Sequence, residues 1–176
     1  MPDRLSESRF ICDRMFGALC RFLRLLGYDT LNANDLTPGN PKEDSILLII
    51  AKKEDRILLT RDAELARRDP NRVFYLVSER LEDQIRTLII AGYIKPNLRL
   101  TRCSLCNHLL APASDEALSE FLRENPSIIF NSSPDEEKIT WCRNCRKIYW
   151  EGSHTRKMRE QIHQIYLLGE EGRTSA

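Results

Sequence analysis

The chain has 176 residues and a formal net charge of +1 at pH 7, enough for one domain or one and a half around a real core. So small a net charge excludes a bulk field that draws the protein to nucleic acid or membrane, and any such binding must use local patches. No apolar run is long enough to span a bilayer, and Met1-Pro2-Asp3-Arg4 lacks the basic-then-apolar layout of a signal peptide, so a cytoplasmic location is expected.

Arg9-Phe10-Ile11-Cys12 is a short apolar run ending at Asp13 and predicts the first strand. Met15, Phe16, Leu19, Phe22, Leu23 and Leu26 then recur at helical steps, and Gly27 supplies the stop. Arg14, Arg21 and Arg24 fall on another side of that helix, either as a solvated face or as a phosphate-facing stripe beside Asp13. Asp29 to Ala33 reads as a weak second strand, and Leu36 to Pro41 as a loop marked by two prolines and a glycine. Lys42-Glu43-Asp44 opens a helix carrying Ile46, Leu47, Ile49, Ile50 and Ala51, with acids in the first turn where the helix dipole favours them.

Ile57-Leu58-Leu59-Thr60 is apolar without alternation, as suits a strand buried on both faces of a parallel sheet. Asp62 is placed to cap the helix Ala63 to Arg68. Val73 to Val77 predicts a further strand, and a helix starting at Ser78 or Glu79 carries Leu81, Ile85, Leu88 and Ile89. Four strands alternating with four helices predict an α/β fold with right-handed crossovers. There is no G-x-G-x-x-G and no G-x-x-x-x-G-K-[ST], so neither a dinucleotide site nor a P-loop is supported.

Ile94 to Leu100 leads into a second unit. Cys103-x-x-Cys106 opens it and Cys142-x-x-Cys145 closes it. In a reducing compartment two such knuckles predict four thiolates around one structural Zn²⁺. His108 and His154 are spare, and Cys12 and Cys20 read as buried thiols. Ala111 to Glu137 predicts mostly loop, with a helix from Asp115 to Arg123. Ile148-Tyr149-Trp150 follows, with Tyr149 and Trp150 as ribbon core or as stacking platforms for bases. Ser153 is placed to cap a last helix with Met158, Ile162, Ile165 and Tyr166 on one face, before a tail from Glu170. The expected units are residues 8–97, residues 98–168 and a flexible tail, residues 169–176.

Asp13 ends the first strand, Asp62 follows the central one, and Asp44 begins the helix that runs into it. A parallel sheet can bring these positions to one edge, where ligands of open α/β sheets bind. They are either helix caps or a cation site. Gathered carboxylates without histidine select Mg²⁺ or Mn²⁺, which suits attack of water on a phosphodiester.

Phe10 to Thr30, Asp44 with Ala51, and Arg56-Ile57-Leu58-Leu59-Thr60-Arg61-Asp62 resemble the PIN-like ribonuclease domain first named from the C-terminus of the mut-seven exonucleases. Cys103-x-x-Cys106-Asn107 and Cys142-x-x-Cys145 through His154 resemble that family's zinc-ribbon appendage. The resemblance implies a PIN-like three-layer α/β/α fold, metal-dependent hydrolysis of RNA, and a metal site on Asp13, Asp44 and Asp62, with Glu43 or Glu64 as a fourth acid. Arg14, Arg21, Arg24 and Arg61 are then candidates for holding phosphates, and Arg143, Arg146 and Lys147 for a basic RNA-binding surface on the ribbon. The alternative is a non-catalytic RNA- or protein-binding module in which the acids only cap helices.

Overall fold

The computed structural model describes residues 8–36, 40, 42–128 and 139–174. Most of the loop expected between Leu36 and Pro41, and part of that between Ala111 and Glu137, lie outside the described residues. Strands β1 (Arg9–Cys12), β2 (Asp29–Asn32), β3 (Ile57–Thr60) and β4 (Val73–Tyr75) form one parallel sheet in the order β2-β1-β3-β4. Helices α1 (Gly17–Leu25), α2 (Glu43–Lys53), α3 (Ala63–Arg68) and α4 (Leu81–Ile90) follow the four strands in turn. The fourth strand is shorter than the apolar run Val73 to Val77 implied.

Alternation along the strands sorts the side chains between two layers. Phe10, Cys12 and Leu59 join Leu19, Leu23, Ile85 and Leu88 of α1 and α4 on one face. Ile11 and Leu58 join Leu47, Ala51 and Leu65 of α2 and α3 on the other. Both faces are covered, which explains why the strands read as unbroken apolar runs.

Gly27 ends α1 with a left-handed turn at φ 92°, in which the Gly27 amide donates to the Arg24 carbonyl and the Tyr28 amide to the Leu23 carbonyl. A Cβ there would also lie 2.9 Å from Thr101 Oγ1. The glycine is therefore needed both for the turn and for the close passage of the chain entering the second unit.

That unit is a three-stranded antiparallel sheet, β5 (Ala111–Pro112), β6 (Thr140–Trp141) and β7 (Ile148–Tyr149), with helix α5 (Asp115–Glu124) between β5 and β6. Ser114 caps α5 by accepting from the Ala117 amide. Helix α6 (Ser153–Thr174) then returns to the first unit and continues through most of the expected tail. Its Ile162 and Ile165 are buried among the α1 and α4 side chains. Ser153 is the first helical residue of α6. The Gly152 carbonyl accepts from the Arg156 amide, and Thr155 Oγ1 accepts from the Gly152 amide. Among the described residues no helix is long and apolar enough to cross a membrane.

The two units are riveted at β2. Asn107, just after the first cysteine knuckle, accepts from the Thr30 amide through Oδ1 (3.1 Å) and donates to Asp29 through Nδ2 (2.7 Å). It thereby satisfies an edge strand that would otherwise present unpaired backbone.

Candidate active site and zinc centre

Asp13 leaves β1 with its amide donating to the Leu59 carbonyl at 3.0 Å, which fixes it beside the end of β3. Its Oδ1 accepts from the Arg14 amide at 2.6 Å and starts a single 3-10 turn, Arg14–Phe16, before α1. Its Oδ2 accepts from Thr60 Oγ1 at 2.7 Å, and the same Thr60 oxygen accepts from the Asp62 amide at 3.0 Å. Thr60 is fully buried. One hydroxyl thus ties Asp13 to the segment carrying Asp62. Asp62 turns its Oδ1 onto the Glu64 and Leu65 amides at 2.7 and 3.1 Å, capping α3.

Asp44 lies in the first turn of α2 and is half exposed, with Arg68 Nη1 3.9 Å from its Oδ2. Its carboxyl is pushed upward, first by partial burial and then by the negative charges of Asp62 and Asp13, against the pull of Arg68. The three carboxylates therefore share one electrostatic neighbourhood. The chain leaves β1 toward β2 on one side, whereas β3 and β4 lie on the other. The acids occupy the carboxyl ends of the strands at that switch point.

Arg14 grips Glu43 through both terminal carboxylate oxygens, Nε to Oε1 and Nη2 to Oε2, each at 2.7 Å. Glu64 is exposed. Arg61 donates from Nε to Met15 Sδ and pairs with Glu79. Arg21 is exposed.

Arg24 corrects the expected phosphate stripe. It is 2 % exposed, and its guanidinium donates to the carbonyls of Thr30, Ser104 and Leu105 while pairing with Asp35. Its place one turn beyond Arg21 points it under the ribbon, so it serves as a structural bolt and offers nothing to a phosphate.

Arg143, Arg146 and Lys147 are exposed on the ribbon, Arg146 near Glu120 (3.3 Å) and Lys147 5.5 Å over the Tyr149 ring. Tyr149 itself is buried, and its hydroxyl donates to Cys103 Sγ (3.2 Å) and accepts from the Ser104 amide (2.9 Å). It is ribbon core, unable to stack a base. Trp150 is half-buried and packs 5.7 Å from the Phe121 ring.

The thiols of Cys103, Cys106, Cys142 and Cys145 all lie within 4.8 Å of one another. The two knuckles repeat the same turn. The Asn107 amide donates to the Cys103 carbonyl and the Arg146 amide to the Cys142 carbonyl, with both Asn107 (φ 67°) and Arg146 (φ 58°) left-handed. Burial raises the Cys106 thiol, but the His108 amide and the neighbouring side-chain donors outweigh it and bring it down to about 6. A closed set of four sulfurs with hydrogen-bonded second neighbours fits a structural zinc site. His108 and His154 stand outside it. Among the described residues no other three metal-ligating side chains gather so tightly.

Sequence reasoning passed over Thr60, Asp29, Arg56 and Asn107. The signal for Thr60 was its polarity at the end of an apolar run two residues before Asp62. The others stand in the stretches that carry the family resemblance, but what they bind was not visible, because their partners are far along the chain. Arg56 is buried, donating to the Phe10 carbonyl and to Asp29.

No curated protein and no solved structure matches the chain. The family model described as the Mut7-C RNAse domain matches residues 8–162. That span runs from just before β1 into α6, through the acidic edge and the cysteine knuckles alike, and the chain belongs to the Mut7-C RNAse domain family.

Proposed function

We propose that the protein is a metal-dependent ribonuclease, with Asp13, Asp44 and Asp62 holding Mg²⁺ or Mn²⁺ at the switch point of the sheet. The observation that carries this reading is the Thr60 hydroxyl, which binds Asp13 and the Asp62 amide together. The donor set fits a hard cation, being carboxylate oxygens with no histidine or thiol among them. Asp62 spends one oxygen on the α3 cap and keeps the other, and among the described residues Asp44 has only the distant Arg68 as an ion-pair partner. The three acids do not close to the spacing of the cysteines. That suits an ion which keeps several waters and takes few protein ligands. Such a cation, when bound, lowers the pKa of an attacking water and neutralises charge on the phosphate. The chain itself holds the carboxylates in place through Thr60 and the helix-start amides. The Arg14–Glu43 fork braces the start of α2 against the turn after β1.

The second reading, a non-catalytic binding module, draws on the cap bonds that Asp13 and Asp62 make. Cleavage of a labelled single-stranded RNA in Mn²⁺ separates the two. The parent should cut, and Asp13→Asn, Asp44→Asn and Asp62→Asn should each lower the rate by at least about a hundredfold while melting near the parent, because asparagine caps nearly as well as aspartate. No metal-dependent cutting by the parent, or variants as active as it, would leave the binding module.

A further inference from the structure

The helix that starts at the acidic edge leads to a second concave feature. Ala18, Arg21 and Leu25 of α1 follow at three- and four-residue steps, one stripe of the helix, and Arg14 lies in the 3-10 turn before it. Arg14 adjoins Asp13. Ala18 and Arg21 are exposed, and among the described residues Arg21 has no carboxylate partner. Leu25 forms one wall of a cavity of about 290 Å³ between α1, the zinc ribbon and the start of α6. Ile148, Trp150 and Met158 form much of the rest, and Lys147, Ser153 and His154 stand exposed at its rim. From residue 17 to residue 25 the helical rise amounts to about 12 Å.

The shape and chemistry of this cavity restrict its occupant. Its walls are apolar and aromatic, and its size is at the small end for ligand sites, so it suits one flat ring. Its approaches are cationic. Arg21 lies one turn before Leu25 on α1, and Lys147 stands at the rim. A flat apolar unit carried on an anionic chain is a nucleotide within a strand. We propose that the cavity takes one unpaired base of a single-stranded RNA whose phosphates pass Arg21 on the way to the acidic edge. The proposal rests on the ribonuclease reading for the identity of the strand. It adds a strand path, a register between pocket and scissile bond, and a requirement for unpaired RNA. A base inside a duplex enters such a pocket only after leaving its stack.

The test uses the full chain with zinc bound and Asp13→Asn, without added Mg²⁺ or Mn²⁺, so that RNA is bound without being cut. A labelled octanucleotide is compared with versions carrying one abasic nucleotide at each position in turn. One position should weaken binding about tenfold, the scale of one lost base stack. Ser153→Phe, at an exposed rim position, should weaken the intact strand similarly and make the sensitive abasic position neutral. Lys147→Gln should weaken binding without removing that position's effect. Arg21→Gln should reduce the salt dependence by about one unit of slope. Equal binding of all abasic strands, no binding at all, or unchanged binding by a Ser153→Phe variant of parental melting temperature would overturn the pocket. Metal-dependent cutting by the parent together with equal abasic binding would refute the pocket alone. A clear abasic effect with no cutting by the parent would refute the nuclease reading alone.

Discussion

Thr60 is the residue on which the acidic edge turns. It is buried, donates to Asp13 and accepts from the Asp62 amide. Thr60→Val keeps the shape and removes both bonds, leaving the Asp62 amide without its partner. We expect a loss of about 1–3 kcal/mol in stability and a fall in cleavage, with Thr60→Ser close to the parent in both. Denaturant titration and the RNA assay check this. Asp29 makes the second residue-scale prediction. Burial alone would raise its carboxyl, but hydrogen bonds from Arg56 and Asn107, with the charges of Arg56 and Arg102, hold it at about 2. Arg9 also pairs with it, and Glu54 faces the same arginines. The folded value lies below the ordinary carboxylate value of roughly 3.9. The contribution is therefore complete above about pH 4 and is lost as pH falls through about 2, worth roughly 2 kcal/mol at neutral pH. Asp29→Asn should cost that much at pH 7, and its gap from the parent should close between about pH 4 and pH 2 in denaturant titrations. A gap that does not depend on pH would contradict the account.

Among the elements, β2 is the edge strand that the ribbon covers. It has a neighbour on one side only, and on the other Asn107 meets it from the ribbon, while Arg24 of α1 donates to the Thr30 carbonyl and to the ribbon's Ser104 and Leu105 carbonyls. Zinc held at the knuckles would therefore support an edge of the α/β sheet as well as the ribbon itself, since metal binding there is folding energy. Removing zinc with a chelator, or making Asn107→Ala, should speed hydrogen exchange of the Thr30 amide while β3 stays protected. Unchanged exchange at Thr30 after zinc removal would refute the coupling. These contacts also mark where sequence reading stops. The periodicity of α1 was plain, and so was the glycine that ends it. That Arg24 turns inward was not, because its acceptors in the first knuckle lie about eighty residues further on. An arginine beneath carbonyls and an arginine on a solvated face look alike in a sequence.

At the scale of the whole molecule, the parallel sheet and the four-cysteine centre were legible because each has a local signature, alternation in one case and paired knuckles in the other. Asp13, Asp44 and Asp62 were legible as strand ends and a helix start. Their common neighbourhood needed the order β2-β1-β3-β4, which no local pattern carries. The return of α6 onto α1 and α4 was equally hidden, since an amphipathic face does not name what it covers. The measurement that bears most directly on the central claim is the melting temperature of the zinc-loaded protein with increasing Mn²⁺, for the parent and the three Asn variants. If the acids form a cation site, Mn²⁺ should stabilise the parent by about 2.7 kcal/mol at a hundred times its dissociation constant. Each variant should lose most of that gain, and without Mn²⁺ should melt no lower than the parent, because one of the mutually repelling charges is gone. Equal melting of the parent with and without Mn²⁺, or equal gains in all four proteins, would contradict the site.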